Sequence, residues 1–232
     1  MKLKHITFTG IDANTDIQAL REIQREYPIA EFGVLTSYHW NENGNRYLNP
    51  AFMSNFYAGN GELKLALHIC GRAAHDAAEG YWNRINDHLF DCLKLFRRVQ
   101  LNVSGRQDNP PRMASTPTIH TELIIQQKSA DNIALYEASA WLGNVSVLLD
   151  ASGGCGIDTP LKVLPIEGKV GYAGGINPDN VGDKLDFLMR NHTSGPFWID
   201  MESGVRTDDW FDTSKVIKVL EICKQVINEH GV

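Results

Sequence analysis

Residues 170–178 read Val-Gly-Tyr-Ala-Gly-Gly-Ile-Asn-Pro, and residues 197–205 read Phe-Trp-Ile-Asp-Met-Glu-Ser-Gly-Val. Each is a short apolar run closed by a glycine-bearing turn. In the first, Gly174-Gly175-Ile176-Asn177-Pro178 links a strand to a helix start, where backbone N–H groups lack partners and the helix dipole favours an anion. In the second, Glu202-Ser203-Gly204-Val205 follows the strand directly. If the two strands are neighbours in a barrel, both turns converge on one point, the frequent phosphate site of α/β barrels. Gly174, Gly175, Asn177, Ser203 and Gly204 are therefore the expected phosphate-binding residues.

Working outward, similar apolar, β-branched runs recur at Ile6 to Phe8, Phe32 to Thr36, Leu63 to Ile69, Val99 to Val103, Glu122 to Ile125 and Val145 to Leu149. With Val170 to Ala173 and Phe197 to Ile199 they make eight expected strands. Most are continuous rather than alternating, as suits a parallel sheet covered on both faces. Helical periodicity fills several gaps. Thr15 and Gln18 read as a capping box before the stripe Ile17, Leu20, Ile23 and Tyr27, which Pro28 ends. Ile85, Leu89, Leu93 and Phe96 form a second stripe, and Val181, Leu185 and Leu188 a third behind Asn177-Pro178. A last helix opens near Thr213, with Val216, Leu220, Cys223 and Ile227 on one face.

Such alternation fits either an open doubly wound sheet or a closed barrel. The glycine turns decide: they come after strands seven and eight, whereas a dinucleotide fold carries its G-x-G-x-x-G turn after an early strand. The expected fold is α/β, a single (β/α)₈ barrel spanning residues 1–232 with phosphate-binding turns after strands seven and eight. Residues 104–118, with Pro110, Pro111 and Pro117, read as a long loop between strands four and five.

Bulk properties agree. The chain of 232 residues is 43% hydrophobic and 22% charged, ordinary for a globular protein that buries one core. A net charge of −6 argues against a broad basic surface for nucleic acid but leaves room for a small anion held by a few N–H donors. No apolar run approaches the roughly eighteen residues of a membrane span, and the start MKLKHITFTG has no uninterrupted apolar segment, which points to a cytoplasmic protein with no membrane partner. Cys70, Cys92, Cys155 and Cys223 are scattered, without the pairs of a zinc site or disulfide scaffold. His39, His68, His75, His88 and His120 show no ligand spacing, so neither metal nor cofactor is expected.

Several motifs, in order, resemble the phosphoribosylanthranilate isomerase family of tryptophan biosynthesis. Leu148-Leu149-Asp150 with Gly153-Gly154-Cys155-Gly156 is similar to that family's sixth strand and its glycine loop. Residues 173–181 are similar to its seventh strand and phosphate turn, and residues 199–205 to its eighth. Asn45-Arg46-Tyr47-Leu48-Asn49-Pro50 looks like its loop after strand two, while residues 51–140 match only in strand rhythm. The resemblance implies an Amadori rearrangement, in which an aldose amine becomes an aminoketose through one acid and one base. It places Asp150 as the acid that protonates the furanose ring oxygen, Arg46 against a substrate carboxylate, and Thr9, Gly153 and Gly154 beside the substrate.

At the base position the family motif Lys-Ile-Cys-Gly is replaced by Thr7-Phe8-Thr9-Gly10, and a threonine hydroxyl is far too weakly acidic to act as a thiolate does. The lysine of the family's glycine loop is Ile157 here. Three groups are candidates for the missing base. His68 and Cys70 lie two residues apart and share one face of a strand, and Asp12 follows strand one. A lyase using a Schiff-base lysine ranks lower, because Lys64 and Lys169 fall at strand starts. A barrel that binds a phosphometabolite without turning it over is the other reading, and Thr9 is what supports it.

Overall fold

In a computed structural model, which describes residues 2–42, 44–56, 63–103, 120–128, 134–153, 156–164 and 166–231, eight parallel strands close into a barrel in sequence order. They are β1 (Leu3–Thr9), β2 (Ala30–Thr36), β3 (Leu65–Cys70), β4 (Arg98–Asn102), β5 (Glu122–Gln127), β6 (Val145–Asp150), β7 (Val170–Ala173) and β8 (Phe197–Met201). β8 pairs back to β1 in parallel, Thr7 opposite Asp200, so no sheet edge is left open.

Seven of these strands begin earlier or end later than the apolar runs suggest, and the inner surface is the reason. Alternate residues point inward, and near the strand starts these are polar. Thr7 donates to Glu31 at 2.9 Å, Ser146 donates to Glu122 at 2.6 Å, and Arg98 pairs with Glu31 and lies 4.5 Å from the Trp198 ring. One step further along, Ile124, Leu148 and Trp198 form a small apolar plug with Ala173. Gly171 makes room for it, since a Cβ there would fall 2.3 Å from the Trp198 indole. The next inward step is polar again and forms the mouth described below.

The outward residues, among them Ile6, Phe8, Phe32, Val34, Leu67, Ile69, Val99 and Leu101, pack in the main core under the helices. α1 (Ile17–Glu26) buries Leu20 and Ile23, but its cap is Asp16, whose carboxylate accepts from the Gln18 and Ala19 N–H groups. Thr15, the expected cap, is turned back to Asp12 instead. The stripe from Ile85 to Phe96 is not one helix. α2 (Gly71–Ala78) and α3 (Trp82–His88) precede a left-handed step at Phe90 and Asp91, φ 48° and 60°, and a 3₁₀ turn, Cys92–Leu95, carries Leu93 inward. α4 (Ala134–Ser139) precedes β6, α5 (Val181–Asn191) packs between β7 and β8 in sequence, and α6 (Thr213–Glu229) closes the chain. α5 starts at Val181 rather than at Asn177, because residues 177–180 form a turn in which Asn180 accepts from the Asn177 N–H.

The ring of helices is uneven. Between β2 and β3, and between β6 and β7, no α-helix occurs among the described residues. After β8 a hairpin, Arg206–Thr207 with Trp210–Phe211, lies against the barrel mouth. The proline-containing loop 104–118 lies outside the described residues. No helix is long and apolar enough to cross a membrane among the described residues.

Candidate functional site

The C-terminal ends of the strands open into a pocket lined by the turns after β7 and β8 and by the last inward side chains of several other strands. The turns meet because they are glycines. A Cβ on Gly204 would lie 2.1 Å from the Ile176 carbonyl oxygen, and one on Gly175 would lie 2.3 Å from the Asp158 backbone nitrogen, so backbone packs directly on backbone. Gly174, Gly175, Ser203 and Gly204 all line the resulting cup. Asn177 does not; its side chain donates to the Gly175 carbonyl at 3.1 Å and so shapes the turn from behind. Lys184 braces the same turn through the Gly174 and Thr159 carbonyls.

On β6, Asp150 is buried and lines the pocket. It accepts from the Gln126 Nε2 at 2.8 Å, the Ser152 N–H at 3.1 Å and the Ser152 hydroxyl at 2.7 Å. Gly153, just beyond, adopts φ 63° and faces Lys128 rather than the pocket. Gly154 lies outside the described residues.

Across the β7 turn, Thr9 Oγ1 donates to Asp200 Oδ1 at 2.8 Å, and both residues line the pocket. Burial, reinforced by the Glu31 and Glu202 carboxylates, pushes the Asp200 carboxyl up to about 8 against the Thr9 hydrogen bond. His68 stands 3.9 Å away, Nε2 to Asp200 Oδ2, and its Nδ1 lies 3.1 Å from the Gln100 amide nitrogen. Burial and the Arg98 charge push this imidazole down to about 3, so it stays neutral. With Gln100 donating to Nδ1, Nε2 carries the ring proton and faces Asp200.

The other two candidate bases are differently placed. Burial pushes the Cys70 thiol up to about 11, and its partners are Asn102 Nδ2 at 3.3 Å, the Tyr47 hydroxyl and the His68 carbonyl, not the imidazole. Although the two share a strand face, the Cys70 thiol is therefore not hydrogen-bonded to the His68 imidazole. Asp12 does not line the pocket. It is buried against Arg206 at 3.1 Å and accepts from the Phe211 and Asn14 N–H groups, pinning the hairpin after β8 to the end of β1. Arg46 reaches the cup but is already paired, at 2.9 Å with Glu202 and 2.9 Å with Asp209, and Ser203 Oγ lies 3.3 Å from it. Burial raises the Glu202 carboxyl, with Arg46 opposing.

Asp200, Glu202, Gln100, Asn102 and Gln126 were not singled out by the motifs, although all line the pocket. The signal was present in the two-residue period: each except Glu202 is the polar residue one inward step beyond a strand's buried inner side chain, as Asp200 is beyond Trp198.

A closed parallel barrel with carboxyls and glycine turns gathered at its C-terminal mouth is a TIM barrel of the enzyme type. The family model described as N-(5'phosphoribosyl)anthranilate (PRA) isomerase matches residues 105–222, just over half of the chain, and the chain belongs to that family. The matched part contains β5 to β8 but not Thr9. No curated protein matches the sequence. Among solved structures, the N-(5'-phosphoribosyl)anthranilate isomerase from Pyrococcus furiosus is similar with a TM-score of 0.58 at 15% identity, over 95% of this chain and 98% of that one. At that identity the likeness speaks for the shared barrel.

Proposed function

We propose that this isomerase-family barrel catalyses an Amadori-type rearrangement of a phosphorylated aldosylamine, with Asp150 as proton donor and Asp200 as proton acceptor. The observation that carries the reading is the Thr9–Asp200 hydrogen bond: where the family motif has its base, this chain places a buried carboxyl one strand over, in the same pocket as Asp150. The phosphate is held by the Gly174-Gly175 and Ser203-Gly204 turns, which sets the sugar over the β6, β8 and β1 strand ends. Asp150 gives its proton to the ring oxygen as the C1–O bond breaks and the nitrogen lone pair forms C1=N. Asp200, ionised, takes the C2 proton through Oδ2, the oxygen Thr9 leaves open; the C2–H electron pair forms C1=C2 as the C1=N pair returns to nitrogen, giving the enaminol. Return of that proton to C1, and of the C2 hydroxyl proton to Asp150, gives the aminoketose and restores both carboxyls.

A carboxyl near 8 suits this task, since a base works best with its pKa close to the working pH. The test is to condense ribose 5-phosphate with a set of primary amines, anthranilate among them, add the protein and follow the aminoketose carbonyl by ¹³C NMR. Turnover is expected, together with its loss in Asp150→Asn and Asp200→Asn while both variants still bind ribose 5-phosphate. Binding of ribose 5-phosphate without aminoketose from any amine would overturn the catalytic reading. The chain would then be a phosphometabolite-binding barrel, as the absence of a thiol at Thr9 also suggests.

A further inference from the structure

We infer that the group on the substrate nitrogen is an uncharged hydrogen-bond donor such as a carboxamide, received by Gln100 on the wall opposite the phosphate cup, and not the aryl carboxylate of anthranilate. This rests on the reading of the cup and the two carboxyls given above. In a closed ring of eight strands in sequence order, β3 and β4 face β7 and β8 across the barrel. A ligand whose phosphate sits on the β7 and β8 turns therefore extends its nitrogen substituent toward His68, Gln100 and Asn102.

Among the described residues that wall is neutral and already half arranged. Gln100 Nε2 is used, 3.1 Å from His68 Nδ1 and donating to Asn102 Oδ1 at 2.8 Å. Its Oε1, on a side chain 2% exposed, has no hydrogen-bond partner among the described residues. A buried acceptor without a partner is costly, and a ligand N–H or O–H removes the cost on binding. A carboxylate offers only acceptors and would meet that oxygen lone pair to lone pair.

The charges agree. Asp150, Asp200 and Glu202 line the pocket, and none of its lining residues among the described residues is a lysine or arginine. The Arg46 guanidinium, 3.3 Å from Ser203 Oγ in the cup, is spoken for by Glu202 and Asp209. A second anion on the ligand would thus enter a pocket lined by carboxyls with its expected cation occupied.

Two stable probes of one size isolate the point: the secondary amines obtained by reducing the ribose 5-phosphate conjugates of 2-aminobenzamide and of 2-aminobenzoate. Titration calorimetry, with ribose 5-phosphate as reference, is expected to give at least tenfold tighter binding of the carboxamide. Gln100→Met, which keeps length but lacks the acceptor, should shrink that ratio to within about twofold while ribose 5-phosphate binds as before. Equal or tighter binding of the carboxylate, or an unchanged ratio in Gln100→Met, would overturn this inference and leave the proposed reaction standing. Failure of ribose 5-phosphate to bind at all would remove the cup, and this inference with it.

Discussion

Replacing Thr9 by valine removes one hydroxyl and keeps the shape, which makes it the sharpest perturbation of the proposed base. In the native site Thr9 donates to Asp200 at 2.8 Å, with both side chains buried. A hydrogen bond to a charged acceptor stabilises it by roughly 1.5–3 kcal/mol, equivalent to about one to two pK units. The bond favours the ionised carboxyl, so its loss should move the Asp200 midpoint upward from about 8. Below the midpoint the active fraction falls tenfold per unit, and kcat/KM at pH 7 should drop by about ten- to a hundredfold. Above it the carboxyl is ionised in either protein, and the proton donor Asp150 is common to both, so the ratio of the two kcat/KM values should return to about one. The assay is the pH profile of kcat/KM for aminoketose formation, with ribose 5-phosphate binding as the control for the cup. A wild-type to variant ratio that stays the same from pH 7 to well above the midpoint refutes the assignment of Thr9 as the residue that tunes Asp200.

Further outcomes follow from the same geometry. In the wild-type protein the ionised fraction of Asp200, read from the ¹³C shift of its carboxyl carbon, should rise about fivefold from pH 7 to pH 8 and then level off. Stability should run the opposite way: a carboxyl raised from its ordinary value in the fold is protonated when native and ionised when unfolded. The stability it contributes is complete below about pH 4 and is lost as pH rises toward 8, so Asp200→Asn should flatten the dependence of Tm on pH between those limits. Asp12→Asn breaks a buried pair with Arg206 and should cost about 3–5 kcal/mol in urea unfolding, with no movement of the kinetic midpoint; a moved midpoint would bring Asp12 back as a base. Gly204→Ala drives a methyl into the Ile176 carbonyl and should weaken ribose 5-phosphate binding more than tenfold by calorimetry, whereas unchanged affinity would place the phosphate elsewhere.

The barrel was legible because outward strand residues are apolar without interruption and because the glycine turns come last. The strand ends were less so. Thr7, Glu31, Arg98, Glu122 and Ser146 pair with one another inside the barrel, and a linear sequence does not show that a polar residue has a partner across a closed sheet. The same closure hid the base. Thr9 was visible as a missing thiol, but Asp200, remote in sequence, becomes its neighbour only when β8 pairs with β1. His68 and Cys70 do share a strand face as the period requires, yet Asn102 and Tyr47 hold the thiol while Gln100 holds the imidazole. Arg46 was found at the right loop, but its carboxylate partners, Glu202 and Asp209, come from the far end of the chain.

The central claim is that Asp200 removes the substrate's C2 proton. Its most direct measurement compares turnover of the carboxamide-bearing aldosylamine made from ordinary and from C2-deuterated ribose 5-phosphate, in wild-type protein and in Asp200→Asn. The account predicts a primary isotope effect in the wild type and no aminoketose in the variant, which still binds ribose 5-phosphate. Turnover by Asp200→Asn at the wild-type rate would contradict it.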